Sequence, residues 1–107
     1  MRNDFTEMVI DVIASIPRGK VTSYGAIAAW AGNPRGARQV ARILSACSRS
    51  EGLPWWRVVN KAGAISLPRG AGFERQYERL TAEGIAVDPK GRINLDAHEW
   101  VPNWEAE

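Results

Sequence analysis

A chain of 107 residues, 45% apolar and 24% charged, has the composition of an ordinary globular protein, with room for one hydrophobic core and not for two. One Cys and one His, Cys47 and His98, exclude an internal disulfide and a zinc site, and no run approaches the ~20 apolar residues that a membrane span needs. The N-terminus lacks the basic-then-apolar pattern of a secretory signal, so the expectation is an intracellular, cytoplasmic protein with no membrane association, no metal and no cofactor.

Charge is spread unevenly. Residues 18 to 75 hold ten Lys or Arg against two acids, Glu51 and Glu74, whereas both flanks are net negative. A basic middle between acidic ends is what a surface that meets a polyanion presents, the plain alternative being a solvated charged face.

In chain order, Phe5, Met8, Val9, Val12, Ile13 and Ile16 recur at three- and four-residue intervals. They predict an amphipathic helix over residues 4 to 16, capped by Asn3 or Asp4 and ended by Pro17-Arg18-Gly19. Ser23 caps a second predicted helix, with Tyr24, Ile27, Ala28 and Ala31 on one face and Gly32-Asn33-Pro34 as its stop. A third is predicted from about residue 36 to 46. It turns Val40, Ile43, Leu44 and Cys47 inward and leaves Arg35, Arg38, Gln39 and Arg42 on the opposite face. Two short helices about a tight turn, the second basic outside, form the pattern of a helix-turn-helix.

Val58-Val59 and Ile65, on either side of Asn60-Lys61-Ala62-Gly63, predict a small hairpin or wing. Residues 73 to 83 predict a helix with Phe73, Tyr77 and Leu80 inward, ended by Gly84. Ile85, Val87, Ile93 and Leu95 about Asp88-Pro89-Lys90-Gly91 predict a last hairpin. The expected fold class is mainly α with small β-hairpins, a winged helix-turn-helix forming a single domain over residues 1 to 107.

Leu53-Pro54-Trp55-Trp56-Arg57-Val58-Val59 resembles the Pro-Cys-His-Arg-Val active-site loop of the O6-alkylguanine-DNA alkyltransferases. Trp55 stands where the reactive Cys would be and Trp56 where the His would be. Ile16-Pro17-Arg18-Gly19-Lys20-Val21-Thr22-Ser23-Tyr24-Gly25 is similar to the family's Ile-Pro-x-Gly-x-Val-x-(Thr or Ser)-Tyr-Gly segment. Ala31-Gly32-Asn33-Pro34-Arg35-Gly36-Ala37-Arg38-Gln39-Val40 resembles its turn and recognition helix, and Ala82-Glu83-Gly84-Ile85 its closing Glu-Gly. Arg38 lies fourteen positions after Tyr24 and Trp55 seventeen after Arg38, which matches the family's Tyr, Arg and Cys without a gap. The likeness covers about residues 5 to 87, leaving a hairpin and tail beyond, and is closer to the non-catalytic alkyltransferase-like members than to the enzymes.

The resemblance implies duplex DNA carrying O6-alkylguanine as partner, bound through the minor groove by the helix-turn-helix of a monomer. Arg38 is then the finger that replaces the extruded nucleotide in the stack, and Tyr24 presses on the adjoining phosphate. Gly36, Ala37 and Ala41 let the helix approach the groove floor, with Gln39 on the same surface. Lys20, Arg35, Arg42 and Arg49 are placed for phosphates. In the lesion pocket Trp55 supplies an aromatic wall, the Val58 carbonyl accepts from the exocyclic amine of the guanine, and Arg69, in the closing loop, places its guanidinium on the π-face or at the modified oxygen.

The family's role further implies handover of the occupied site to nucleotide excision repair proteins. Because thiol and imidazole are both missing, no enzymatic alkyl transfer is expected. Ser66-Leu67-Pro68-Arg69-Gly70 departs from the glycine-rich alkyltransferase segment, and Cys47 stands in place of the family's hinge Asn. Two other readings stay open. One is a winged-helix transcription regulator, against which stand the small residues of the third helix and the lack of a dimerisation helix. The other is an alkyltransferase that uses Cys47.

Overall fold

The computed structural model describes residues 3 to 103. Helix α1, Asp4–Ala14, starts where Asn3 Oδ1 accepts the Thr6 N–H at 2.8 Å, and buries Val9, Ile10, Val12 and Ile13. It stops two residues short of the expected end. Ile16 stays buried but precedes Pro17, whose ring disfavours helical backbone at the residue before it. Strand β1, Thr22–Ser23, leads into α2, Tyr24–Trp30, whose N-cap Ser23 accepts the Ala26 N–H at 3.1 Å. Helix α3, Ala37–Cys47, follows the turn at residues 31 to 36 and buries Val40 and Leu44.

A short 3-10 turn, Trp55–Arg57, runs into strand β2, Val58–Val59. The wing expectation needs correction here. β2 pairs in parallel with β1, Thr22 opposite Val58 and Ser23 opposite Val59, not with the segment at Ile65. The turn itself exists, since Asn60 Oδ1 accepts from the Ala62 and Ala64 N–H groups at 3.0 Å each. Ala64 then bridges to Arg92 instead.

Helix α4, Phe73–Ala82, ends before Gly84, which takes the left-handed φ of 84°. The last hairpin is present at Val87 and Ile93, with Asp88 Oδ1 holding the turn. Leu95, however, opens a helix. Asn94 accepts the Asp96 N–H at 3.0 Å and caps α5, Leu95–His98, so the alternation ends at Ile93. The chain then returns to β1, where Val21 donates to the His98 carbonyl and accepts from the Trp100 N–H, and the Trp100 ring meets Trp30 edge-on at 5.7 Å. The tail up to residue 103 is therefore packed, and Trp104 lies outside the described residues.

Two apolar clusters share this frame. One joins α1, α2 and α3, the other joins α4 to Val21, Ile65, Ile85, Val87 and Ile93. Successive strand residues face opposite ways, so Val58 enters the first cluster and Val59 the second, and the neighbouring Trp55 and Trp56 divide likewise. The short β1–β2 sheet is the joint between the clusters. No helix among the described residues is long and apolar enough to cross a membrane.

Candidate nucleic-acid interface and base pocket

The helix-turn-helix is α2 and α3. Gly32 takes a φ of 98°, letting the chain reverse, and the Asn33 N–H closes onto the Ala28 carbonyl at 2.9 Å. Asn33 Oδ1 accepts the Arg35 N–H and its Nδ2 donates to Gln39 Oε1, both at 3.3 Å, which ties the turn to the first turn of α3.

With Val40 and Leu44 facing the core, the 3.6-residue period leaves Arg38, Ala41, Arg42 and Ser45 outside, all exposed. The side chains of Arg35, Arg38, Arg42 and Arg49 have no ion pair or hydrogen bond among the described residues. Arg18, Arg57, Arg69 and Arg92, by contrast, are each held by a carbonyl or carboxylate. α3 itself carries no acid. Its outer face is thus a patch of unneutralised guanidinium groups, the arrangement that attracts phosphate.

Beside it lies a cavity of about 280 Å3 lined by Tyr24, Ala41, Leu44, Ser45, Ser48, Trp55, Leu67 and Gln76. Since an apolar cavity of ~150 Å3 holds a benzene ring, this one admits a bicyclic base with a substituent. Ala41, Ser45 and Ser48 follow Arg38 at three- and four-residue steps, so Arg38 continues the stripe that lines the cavity and stands one turn beyond its edge. Tyr24, at the start of α2, lies 3.3 Å from Ser66 Oγ through its hydroxyl. Trp55 is perpendicular to Trp56, their ring centroids 5.9 Å apart.

Glu83 fixes the loop. It accepts from Trp56 Nε1 at 2.7 Å, from Arg57 Nη2 at 2.6 Å and from the Gly19 N–H at 2.9 Å, while Arg57 Nη1 donates to the Ile16 carbonyl at 2.8 Å. Burial pushes the Glu83 carboxyl up, but the hydrogen bonds from Arg57, Gly19 and Trp56 outweigh it and hold the group below the usual carboxylate range. Arg57 and Arg79 lie against the Trp56 ring, 5.3 and 4.7 Å from its centroid. An indole N–H only donates, so Trp56 anchors the loop and cannot relay a proton.

Several expectations change. Arg69 does not face Trp55: its guanidinium lies 4.3 Å from the Phe73 centroid and donates to the Pro89 carbonyl at 2.7 Å, because an aromatic face and a bare carbonyl are both within its reach. Leu67 closes the cavity instead. The Val58 carbonyl accepts from Gln76 Nε2 at 2.9 Å and keeps a second lone pair for an incoming group. Gly36 is buried, and a Cβ there would come within 2.9 Å of the Phe5 ring, so its smallness serves packing beneath α3 and not a groove-facing surface. Lys20 turns toward the Ala97 carbonyl, 3.5 Å away. Cys47 packs against the α1–α3 cluster, whereas Ser45 and Ser48 line the cavity. Arg38, Gln39, Ala41 and Arg42 are exposed on α3 and Ala37 is partly exposed at its start, whereas Arg35 and Arg49 are exposed in the turns on either side of it.

Gln76 was the principal omission. Its spacing from Phe73 and Leu80 on one face of α4 was the available signal, since a polar residue among inward positions needs partners.

The family model of the DNA-binding domain of 6-O-methylguanine DNA methyltransferase matches residues 4–85. The chain is 44% identical over 98 residues to a DNA base-flipping protein of Escherichia coli (strain K12), a match covering 92% of this chain and 75% of that one. It is 36% identical over 105 residues to alkyltransferase-like protein 1 of Schizosaccharomyces pombe, covering 94% and 97%. Its fold matches that of S. pombe Atl1 in complex with damaged DNA containing O6-carboxymethylguanine with a TM-score of 0.84 and 38% identity, over 95% of this chain and 100% of that one.

Proposed function

Because the chain belongs to the family of the 6-O-methylguanine DNA methyltransferase DNA-binding domain, in its alkyltransferase-like branch, we propose that it is a non-enzymatic sensor of O6-alkylguanine in duplex DNA. It flips the damaged nucleotide and holds it against Trp55. The observation that carries this reading is the cavity of base size walled by Trp55 and reached along the α3 stripe from Arg38.

The mechanism follows from charge and shape. Arg35, Arg42 and Arg49 draw the duplex onto α3 through its phosphates, which is sequence-independent. Arg38, without a partner among the described residues, enters the stack, where its planar cation replaces the lost stacking. Tyr24 sits at the mouth of the cavity to turn the nucleotide in. Flipping costs a few kcal/mol, less at a damaged pair, and stacking on the indole offsets roughly 1–3 kcal/mol of it. With no thiol at position 55 and a donor-only indole at 56, no acceptor for the alkyl group stands at the cavity. The bound lesion is left as a marked site, which excision repair proteins then take over. The protein acts as a monomer inside the cell and needs no cofactor.

The test is a fluorescence anisotropy titration of two duplexes at fixed near-physiological salt, one with O6-methylguanine and one with guanine. The methylated duplex is expected to bind at least tenfold tighter, about 1.4 kcal/mol. Equal affinities would reduce the protein to a basic helix-turn-helix binder.

A further inference from the structure

Gln76 is 1% exposed, one of two polar residues among the buried set. Its carboxamide nitrogen donates to the Trp56 carbonyl at 3.0 Å and to the Val58 carbonyl at 2.9 Å. Two carbonyl oxygens at one end admit only the NH2 there, so the orientation of the amide is determined. The carboxamide oxygen is left with no hydrogen-bond partner among the described residues, and Gln76 lines the same cavity as Trp55.

We propose that this oxygen accepts a hydrogen bond from an N–H on the edge of the base seated against Trp55, and that Gln76 thereby selects purines carrying a 2-amino group. The proposal rests on the base-binding reading above. Alkylation at O6 removes the N1 proton of guanine, so the lesion offers ring nitrogens as acceptors and the 2-amino group as its one remaining donor on the base. An acceptor that the seated base cuts off from water meets that group or goes unpaired, and an acceptor left unpaired disfavours the wrong base. The Val58 carbonyl already takes a hydrogen from Gln76, whereas the Gln76 oxygen has none. Its two N–H bonds also hold it in place before the base arrives, so little ordering is needed on binding.

The experiment compares anisotropy titrations of three duplexes, containing O6-methylguanine, O6-methylhypoxanthine, which has the same ring and methyl group without the 2-amino group, and guanine. The unmodified protein is expected to bind O6-methylguanine about tenfold tighter than O6-methylhypoxanthine, and Gln76→Met to bring that ratio close to one. A variant that merely loosens the loop weakens both duplexes and leaves the ratio intact, which would overturn the proposal. So would a ratio of one in the unmodified protein.

If Gln76→Met does not fold, the side-chain NH2 resonances of Gln76 in the unmodified protein decide. They are expected to shift with the O6-methylguanine duplex and not with the O6-methylhypoxanthine duplex; identical spectra overturn the assignment. Preference for O6-methylguanine over guanine without preference over O6-methylhypoxanthine defeats the Gln76 proposal alone. No preference over guanine defeats the sensor reading itself.

Discussion

An indole lining a cavity acts through its face, and that contribution is separable from the charge of the arginines outside. Stacking is worth roughly 1–3 kcal/mol per base. Trp55→Ala is therefore expected to weaken binding of an O6-methylguanine duplex by about tenfold or more and to leave affinity for undamaged duplex nearly unchanged. Equal losses on both would remove Trp55 from the pocket. Arg38→Ala acts earlier, on the flipped state itself. It should weaken lesion binding strongly and abolish the fluorescence rise of a 2-aminopurine placed opposite or beside the lesion, which reports unstacking. An undiminished rise would assign the finger to another residue.

At the scale of elements, the loop and the C-terminal cap of α4 are joined by a half-buried ion pair, Arg57 with Glu83, side chains 15% and 4% exposed. Weakening charge-assisted hydrogen bonds of this kind costs roughly 1.5–3 kcal/mol, so Glu83→Gln should lower Tm at neutral pH. The carboxyl is held below its ordinary range in the folded chain. Its contribution is therefore fully present above the unfolded-state pKa and is lost as pH falls through the lower folded value. Thermal unfolding between neutral and acid pH is expected to show Tm of the unmodified protein falling faster than that of Glu83→Gln. Parallel curves would mean that the pair carries no pH-dependent stability.

The helices were legible in sequence because an apolar stripe with a cap and a glycine stop is local information. Asn3, Ser23 and Gly84 mark their boundaries within one or two residues. The partner of Val58-Val59 was not legible, since a two-residue strand declares its alternation and not what it pairs with; parallel pairing to Thr22–Ser23 is set by the way α1–α3 pack. Of the candidate site, Tyr24 and Trp55, which line the cavity, were readable from motif spacing. Gln76, Leu67 and the true direction of Arg69 depend on contacts between distant segments, and no local pattern encodes those.

Over the whole molecule, charge is sorted by element. Asp4, Glu7 and Asp11 are exposed on α1, whereas the exposed side of α3 with its flanks carries Arg35, Arg38, Arg42 and Arg49. Each phosphate neutralised contributes about 0.9 to the slope of log affinity against log salt. Arg42→Ala and Arg49→Ala are each expected to lower that slope by about this amount and to weaken damaged and undamaged duplexes alike. An unchanged slope would place the residue away from the backbone.

The loop between the two cores is fastened by hydrogen bonds from side chains or across the sheet at each position from Trp56 to Val59. Trp56 is held through its indole N–H and its carbonyl, Arg57 through its guanidinium, Val58 through its carbonyl and both valines through the β1–β2 pairing. The side chain of Trp55 makes none of these ties. Position 55 is a socket: its rim is tied by bonds that its own side chain does not make, so a change of side chain there resizes the chamber and leaves those ties in place.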